Sequence, residues 1–383
     1  MKIAHIGLAS FYTEEMSYQD NELAERNAAD GHEVLYISNG GKFKDGKIVE
    51  TGYEDKLLSS GVRLIRLPYV HILNNFVSDK IRKVKGVYEI LNDFSPDVIL
   101  CHGMASLSCL DAVRYKARHK NVHFLVDCHT DRFNSGMNWL SLHVLHRLFY
   151  KSIYQRALPY IDKFLYISDD SRQFAEKNYG IPGDIMEFYP LGGNVPDDND
   201  YNVKRSRRRA ELGIGDRDVL LVHSGRLERD KNTVELLKAL KNVPELKSNI
   251  YIMGYIPEDQ KAELEPLIKA DSRVKFLGWK SSEELLEYLC ACDLYLQPGC
   301  QSATMQHALC CRCAVLAYPH DSYKKDYSDG GIIFTKTQED IENVLRAVAE
   351  GVLPIDDMKK KSEEFAADKL DYRRLATRLY YKC

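Results

Sequence analysis

At 383 residues the chain is too long for one small domain and accommodates two of ordinary size. Its 44% hydrophobic and 28% charged residues fit a soluble globular protein, and a net charge of −3 argues against a nucleic-acid binder, which carries a basic excess. No apolar run reaches the roughly 18 residues that span a bilayer. The opening Met-Lys-Ile-Ala-His-Ile-Gly is strand-like and carries no signal-peptide hydrophobic region, so a cytoplasmic location is expected.

Short β-branched runs alternate with amphipathic helical stretches, the pattern of parallel sheets flanked by helices. Residues 3–7 are the first predicted strand. A polar, glycine-poor loop at 8–20 leads to a helix at 21–29, closed by Asp30-Gly31. Strands follow at 33–38 and 62–67, then helical periodicity at 77–92 and a strand after Pro96-Asp97 that ends at His102. The next strand, 122–127, ends at Cys128-His129-Thr130-Asp131, and a long helical stretch at 138–158 precedes a strand at 163–168. Residues 190–202, rich in Gly, Pro and Asp, read as a loop. The alternation restarts with strands at 219–222, 250–253, 274–277, 293–297, 314–317 and 331–334, and a polar amphipathic helix covers 358–381.

Residues 221–233 hold the strongest chemical pattern. A buried-looking strand runs into a Ser-Gly turn, Arg226 and Lys231 follow five positions apart, and a helix begins near Asn232. A helix N-terminus already favours an anion. A guanidinium fork with a compact ammonium suits a pyrophosphate. Two surface cations in a βα loop have the same spacing. Ligands in open parallel sheets lie beyond the carboxyl ends of strands. Residues 8–17, His102, 129–131, Arg226, Lys231 and 301–304 all fall at such ends.

Ten cysteines invite a metal reading, with Cys310, Cys311 and Cys313 close in sequence. Their spacing matches no paired C-x2-C zinc pattern, so structural thiols are expected. Basic clusters stand at Lys80, Arg82, Lys83 and Lys85 and at 204–209.

Gly225-Arg226-Leu227 followed by Lys231-Asn232 resembles the donor-phosphate motif of the retaining GT-B glycosyltransferases of family four, the group-1 glycosyltransferases. Phe276-Leu277-Gly278-Trp279 with 285–293 resembles that family's segment near the nucleotide base. Leu294-Tyr295-Leu296-Gln297-Pro298 is similar to the strand before its signature loop. In the first half, Ala29-Asp30-Gly31-His32-Glu33-Val34, Pro96-Asp97-Val98-Ile99 with His102, and His129 after a strand also match. Phe188-Tyr189-Pro190-Leu191-Gly192-Gly193 sits where the family enters its linker. One departure stands out: the family's two glutamates, eight positions apart, are replaced by Gln301 and His307. The first loop also lacks the family's glycines and holds Tyr12, Glu14, Glu15 and Ser17 instead.

The resemblance implies an α/β protein of GT-B fold, two Rossmann-like doubly wound domains facing an interdomain cleft. Its parts would be an acceptor-binding domain at 1–190, a linker at 191–215, a nucleotide-sugar-binding domain at 216–357, and a C-terminal helix at 358–383 crossing back to the first domain. It further implies transfer of a sugar from a nucleotide diphosphate sugar, UDP- before GDP-linked, to a glycan or lipid-linked acceptor with retention, in bacterial cell-surface polysaccharide synthesis. No Asp-x-Asp motif stands where a metal would be needed, so no metal or other cofactor is expected.

Arg226 and Lys231 would stabilise the departing pyrophosphate, helped by backbone N–H groups of Ser302, Ala303 and Thr304 at a helix start. Gly225, Gly278, Gln301 and His307 complete the donor site, with His307 or Gln306 holding ribose hydroxyls as neutral partners. His129 would contact the donor sugar, with Asp131 orienting it, or be a half-buried structural histidine. Tyr12, Ser17 and His102 are candidate acceptor or sugar contacts. Glu14 and Glu15 are surface charges or, near the acceptor hydroxyl, a base. The missing carboxylates keep open a non-catalytic GT-B partner or glycan-binding protein, and a nucleotide-sugar epimerase shares the fold. In the helix after Asn138, the three-to-four spacing of Trp139, Leu142, Leu145, Leu148, Phe149 and Tyr150 reads as core-facing. With the basic residues of 76–85 these positions would instead suit an anionic bilayer at the inner face of the cell membrane.

Overall fold

The structure, a computed structural model, describes residues 1–14, 18–44, 47–132, 134–215 and 217–380. The chain divides into two compact units, Met1–Pro190 with Tyr372–Cys383, and Leu191–Asp371.

The first unit holds β1 (Lys2–Gly7), β2 (Glu33–Asn39), β3 (Gly41–Lys44), β4 (Lys47–Glu50), β5 (Glu54–Leu57), β6 (Val62–Leu67), β7 (Val98–His102), β8 (His123–Cys128), β9 (Lys163–Tyr166) and β10 (Met186–Phe188). Eight of them form one sheet in the order β10-β9-β8-β7-β1-β2-β6-β5, parallel except for β5. β3 and β4 make a separate antiparallel pair. Alternate residues serve opposite cores, as parallel strands covered on both faces require. Ile3, Val98, Leu100 and Leu125 pack on one face, and Ala4, Ile6, Ile99 and Val126 on the other.

The second unit holds β11 (Leu221–Arg226), β12 (Ile250–Tyr255), β13 (Val274–Phe276), β14 (Leu294–Gln297), β15 (Ala314–Ala317) and β16 (Ile332–Phe334). All are parallel, in the order β13-β12-β11-β14-β15-β16. Strand order reverses between β1 and β7 in the first unit and between β11 and β14 in the second. In open parallel sheets such reversals, beyond the carboxyl ends of the strands, are where ligands bind.

Several elements differ from the sequence expectation. The stretch 77–92 forms two helices, Asn75–Ile81 and Val87–Phe94, because Arg82 and Gly86 between them adopt left-handed φ of 51° and 92°. Residues 138–158 are a π-helix, Ser141–Tyr150, running into the α-helix Lys151–Ala157. The strand expected at 219–222 starts at Leu221 and continues through Ser224 and Gly225 to Arg226, so no turn falls there. The expected linker, 191–215, contains the helix Asp198–Glu211, capped by Asp197, whose carboxylate accepts from the Asp200 N–H at 2.8 Å.

That helix turns Arg205 and Arg209 inward. Arg205 and Arg209 donate to the Asp293 carboxylate at 2.7 and 2.9 Å, joined by Lys359 at 3.1 Å and the Leu220 N–H at 2.9 Å. Arg207 and Arg208 both pair with Glu287. The final stretch is likewise not one helix. Helix Ile355–Phe365 passes into a π turn, Ala366–Leu370, and the helix Tyr372–Thr377 belongs to the first unit. There the Tyr189 hydroxyl donates to the Leu375 carbonyl at 2.7 Å, and Arg378 donates to Glu187 and to the Phe188 carbonyl, each at 2.6 Å.

Burial opposes the charge on Asp293, but Arg205, Lys359 and the Leu220 N–H outweigh it and hold the carboxyl below its ordinary range. Its stabilisation is therefore complete above that range and lost as pH falls through it. Replacing one partner of a buried charge network leaves the others uncompensated. Asp293→Ala is expected to lower unfolding free energy by about 3–5 kcal/mol at pH 7, measured by urea titration.

Candidate active site

In the second unit, three glycines clear the strand ends. Gly225 and Gly254 are register partners on β11 and β12, with φ of 130° and 144°. A Cβ on Gly254 would fall 1.8 Å from the Gly225 carbonyl oxygen, so no side chain fits. The Gly254 N–H donates to the Gly278 carbonyl at 2.8 Å, and a Cβ on Gly278 would meet nothing within 4 Å.

Lys231 lies against this bare edge. Its Cε is 3.5 Å from where a Gly225 Cβ would stand, and the residue is 7% exposed. The turn Arg229–Lys231 ends at Asn232 in a left-handed conformation (φ 54°), after which helix Thr233–Lys241 begins. Residues 298–300 press on that turn. The Cys300 N–H donates to the Asp230 carbonyl at 2.8 Å, and the Asn232 amide donates to the Pro298 carbonyl at 2.9 Å. A Cβ on Gly299 would lie 2.1 Å from the Asp230 oxygen. The Cys300 thiol sits beside Lys231, and burial pushes that thiol's pKa up. Arg226, the last residue of β11, is different. Its side chain is 68% exposed and pairs with Glu228 at 3.2 Å.

The helix Ala303–Cys310 starts from Ser302, whose hydroxyl accepts from the Thr304 N–H at 3.3 Å. The Ser302 N–H donates to the Tyr323 hydroxyl at 3.0 Å. Two of the three N–H groups expected to meet an anion therefore have partners inside the protein, and exposed Ala303 lies between them. The Gln301 amide donates to the Ser322 hydroxyl at 2.6 Å. Gln306, one of the expected ribose partners, is buried with its amide 2.9 Å from the Tyr327 hydroxyl. His307 is half-buried, and desolvation lowers its pKa and keeps it neutral.

In the first unit, chemistry gathers where β1, β7 and β8 meet. His102 ends β7 and Asp127 lies on β8, 2.7 Å apart from Nδ1 to Oδ2. Asp20, in the first turn of helix Gln19–Ala29, brings Oδ1 within 3.3 Å of the same Nδ1. His102 Nε2 meets His5 Nδ1 at 3.1 Å, and His5 Nε2 meets Asn27 Oδ1 at 3.0 Å. His129 Nε2 lies 3.6 Å from Asp127 Oδ2. Burial opposes the charge on His129, but the Asp127 carboxylate prevails and pushes its pKa up to about 9. Desolvation likewise opposes the charge on Asp127, and His102 and His129 hold it well below the usual carboxylate range. At His5 burial, followed by the charge of His102, holds the pKa down at about 3.

The structure corrects several roles. Asp127, not Asp131, faces His129. Asp131 closes a tight turn with Asn134, accepting its N–H at 2.8 Å and donating to its side chain at 3.0 Å. Tyr12 is 1% exposed, with its hydroxyl donating to Glu25 at 3.1 Å, so it offers nothing to a ligand. His102 is 5% exposed and embedded among side chains. Glu14 is tied to Lys56 at 2.9 Å and Lys42 at 3.1 Å, beside the fully buried Arg66. Ser17 and Glu15 lie outside the described residues. His5, Asp20, Asn27 and Asp127 were not singled out from the sequence. The available signal was a histidine or aspartate inside an otherwise apolar strand, His5 in β1 and Asp127 in β8.

Two family models match the chain: Glycosyltransferase Family 4 over residues 21–192 and Glycosyl transferases group 1 over residues 204–365. No curated protein matches. Among solved structures, Anabaena HepE in complex with UDP superposes with a TM-score of 0.67 at 14% identity, covering 100% of this chain and 99% of that one. Sucrose-phosphate synthase from Thermosynechococcus elongatus gives 0.66 at 16%, covering 99% and 97%. WaaG, a glycosyltransferase involved in lipopolysaccharide biosynthesis, gives 0.60 at 18%, covering 99% of each. At these identities the likeness is one of fold.

Because Asp127 is what raises His129, Asp127→Asn should return the imidazole from about 9 toward its ordinary 6.5. An NMR titration of the His129 ring protons reads this directly. A midpoint still near 9 in the variant would contradict the assignment.

Proposed function

The chain belongs to the group 1 glycosyltransferases of family 4 and has the GT-B fold, and on that premise we propose that it moves a sugar, of hexose type, from a UDP-sugar to a glycan or lipid-linked acceptor with retention of anomeric configuration. Bacterial cell-surface polysaccharide synthesis is the proposed setting, in the cytoplasm against the inner face of the membrane. The observation that carries the donor assignment is Lys231, laid along Gly225 where Gly225, Gly254 and Gly278 leave the strand ends bare. Solved structures of HepE with UDP and with UDP-glucose support a uridine donor.

On this reading Lys231, with exposed Arg226, stabilises the departing diphosphate while the acceptor hydroxyl attacks the same face of the sugar. Ala303 and neutral His307 and Gln301 complete the donor contacts. In the first unit His129, charged at neutral pH, donates to a sugar hydroxyl. No metal is required, because the cations neutralise the leaving group. A second reading, a non-catalytic glycan-binding partner, is favoured by one observation: Gln301 is already bonded to Ser322. Calorimetry separates the two. The transferase reading expects UDP to bind, and Lys231→Ala to weaken that binding by about tenfold to a hundredfold, the value of a charge-assisted contact. Failure of every nucleoside diphosphate to bind would favour the partner.

The membrane reading gains support from a departure. Leu142, Leu145 and Phe149 pack against the core and Tyr150 is buried in it, but Trp139 and Leu148, read as core-facing, are exposed at 69% and 66%. With Leu140 and Val144 they leave an apolar stripe outside the π-helix. The buried Tyr150 hydroxyl donates to the Lys80 carbonyl at 3.0 Å, and Phe76, on the helix Asn75–Ile81 that carries Lys80, is exposed. Among the described residues no helix is long and apolar enough to cross a membrane. An exposed apolar stripe on a protein that also carries a basic segment suits the surface of an anionic leaflet. The full chain should float with anionic vesicles at low salt and much less with neutral ones, and Trp139→Ser with Leu148→Ser should abolish flotation. Equal retention by both vesicle types would overturn this reading.

A further inference from the structure

The side chains that join β1, β7 and β8 allow their protons to be counted. The Asn27 Nδ2 donates to the Ala376 carbonyl at 3.4 Å, so its Oδ1 is the atom turned to His5. An amide oxygen only accepts, and His5 Nε2 therefore carries hydrogen. His5 is completely buried, with no carboxylate in hydrogen-bond contact, and is neutral, so its Nδ1 is bare and accepts. The atom facing it at 3.1 Å, His102 Nε2, must then donate. On the other side of the ring, His102 Nδ1 meets only carboxylate oxygens, Asp127 at 2.7 Å and Asp20 at 3.3 Å. Those accept, so Nδ1 carries hydrogen too.

We propose that His102 is a standing imidazolium, a positioning residue clamped between Asp20 and Asp127, whose charge holds Asp127 ionised and aimed at His129. This deepens the transferase reading and rests on it for the role of His129. The groups that face His102 are His5 from β1, Tyr36 from β2, Asp127 from β8, Asp20 from the helix Gln19–Ala29, and His129 from the loop after β8. The Tyr36 ring stacks on it at 5.7 Å between centroids, and the Tyr36 hydroxyl reaches Asp20 Oδ2 at 3.5 Å. A Cβ on Gly7 would lie 2.3 Å from that hydroxyl, so the arrangement needs glycine at the end of β1. Two carboxylates and two imidazolium rings bring the cluster to neutrality, and its inner pair, His102 and Asp127, is shielded from water, where an unpaired charge would be costly.

A histidine that merely filled space would be neutral and leave His129 unmoved. A charged one lies near His129 as a like charge and shares Asp127 with it. Its removal therefore gives His129 the carboxylate alone and raises its midpoint, opposite in sign to the effect of removing Asp127.

The test uses the full chain labelled with 15N-histidine, with ring signals assigned through His102→Gln and His5→Phe. In the unsubstituted protein at pH 7.5 (roughly one unit above an ordinary histidine) both His102 nitrogens should show the protonated signature and His5 should appear as the neutral Nε2–H form. In His102→Gln the His129 midpoint should move to higher pH. A neutral His102 at that pH overturns the proposal, as does a His129 midpoint unmoved or lowered in a folded His102→Gln. The unsubstituted spectrum decides even where the variant fails to fold. Because no donor or acceptor is present, the outcome is independent of whether the chain transfers a sugar.

Discussion

The second unit's site depends on backbone approaching backbone where no side chain could fit. Gly299 lies so close to Asp230 and Lys231 that a methyl group would overlap both residues, and Gly254 meets Gly225 in the same way. These two contacts set the height of the loop after β14 against the turn after β11, and so the course of Lys231 along the glycine edge. Long lysine side chains carry much rotamer freedom, and holding one extended costs entropy. Here that cost falls on folding, since the backbone of Gly225 and Gly299 and the Cys300 thiol lie against Lys231. An anion that arrives finds the ammonium already placed.

The first unit solves a different problem, that of keeping charge in a dry place. Burial opposes ionisation of Asp127, His102 and His129 alike, and each is charged because the others are. Such a cluster ionises as a set, and the loss of one member changes the rest. The neutral end of the chain, His5 with Asn27, matters as much as the charged end. By fixing which ring nitrogen accepts, it forces the second proton onto His102. The polarity of the cluster thus begins in a helix residue, Asn27, whose amide is oriented by the Ala376 carbonyl, more than three hundred residues further along the chain.

The parallel strands were legible because both faces of each are covered, so their apolar runs are unbroken. The short strands between 41 and 57 were not. In β5 exposed and half-buried positions alternate over Glu54-Asp55-Lys56-Leu57, and no apolar run marks them. The helix Asp198–Glu211 was hidden for a related reason: its strength lies in arginines paired with Asp293 and Glu287, acids some eighty residues distant. Glycines and cations near strand ends could be read from their spacing. Asp127 could not, since a lone aspartate in a strand belongs to no motif, and Asp131 beside His129 looked the better partner. Helical spacing in 139–150 correctly grouped the apolar positions, but a period cannot say which side of a π-helix faces the core, and Trp139 and Leu148 face out.

If Gln301 and His307 stand where the family carries its two glutamates, as the resemblance implies, the change has a consistent electrostatic direction. A carboxylate near a departing diphosphate repels it, and an enzyme that keeps one must offset that repulsion with its cations. Here desolvation keeps His307 neutral and Gln301 carries no charge, so the segment from Gly299 to His307 sets no negative side chain against Lys231. What the carboxylates would have given in orientation must come from fixed geometry. Tyr323 holds the Ser302 N–H, Ser322 holds Gln301, and Tyr327 holds Gln306, so three neighbouring side chains on one segment pin the start of the helix. That pinning explains why N–H groups expected to meet an anion are occupied. They fix the helix in place, and on the proposed reading Lys231 is the principal charge for a diphosphate in this unit, with exposed Arg226 exchanging Glu228 for the ligand.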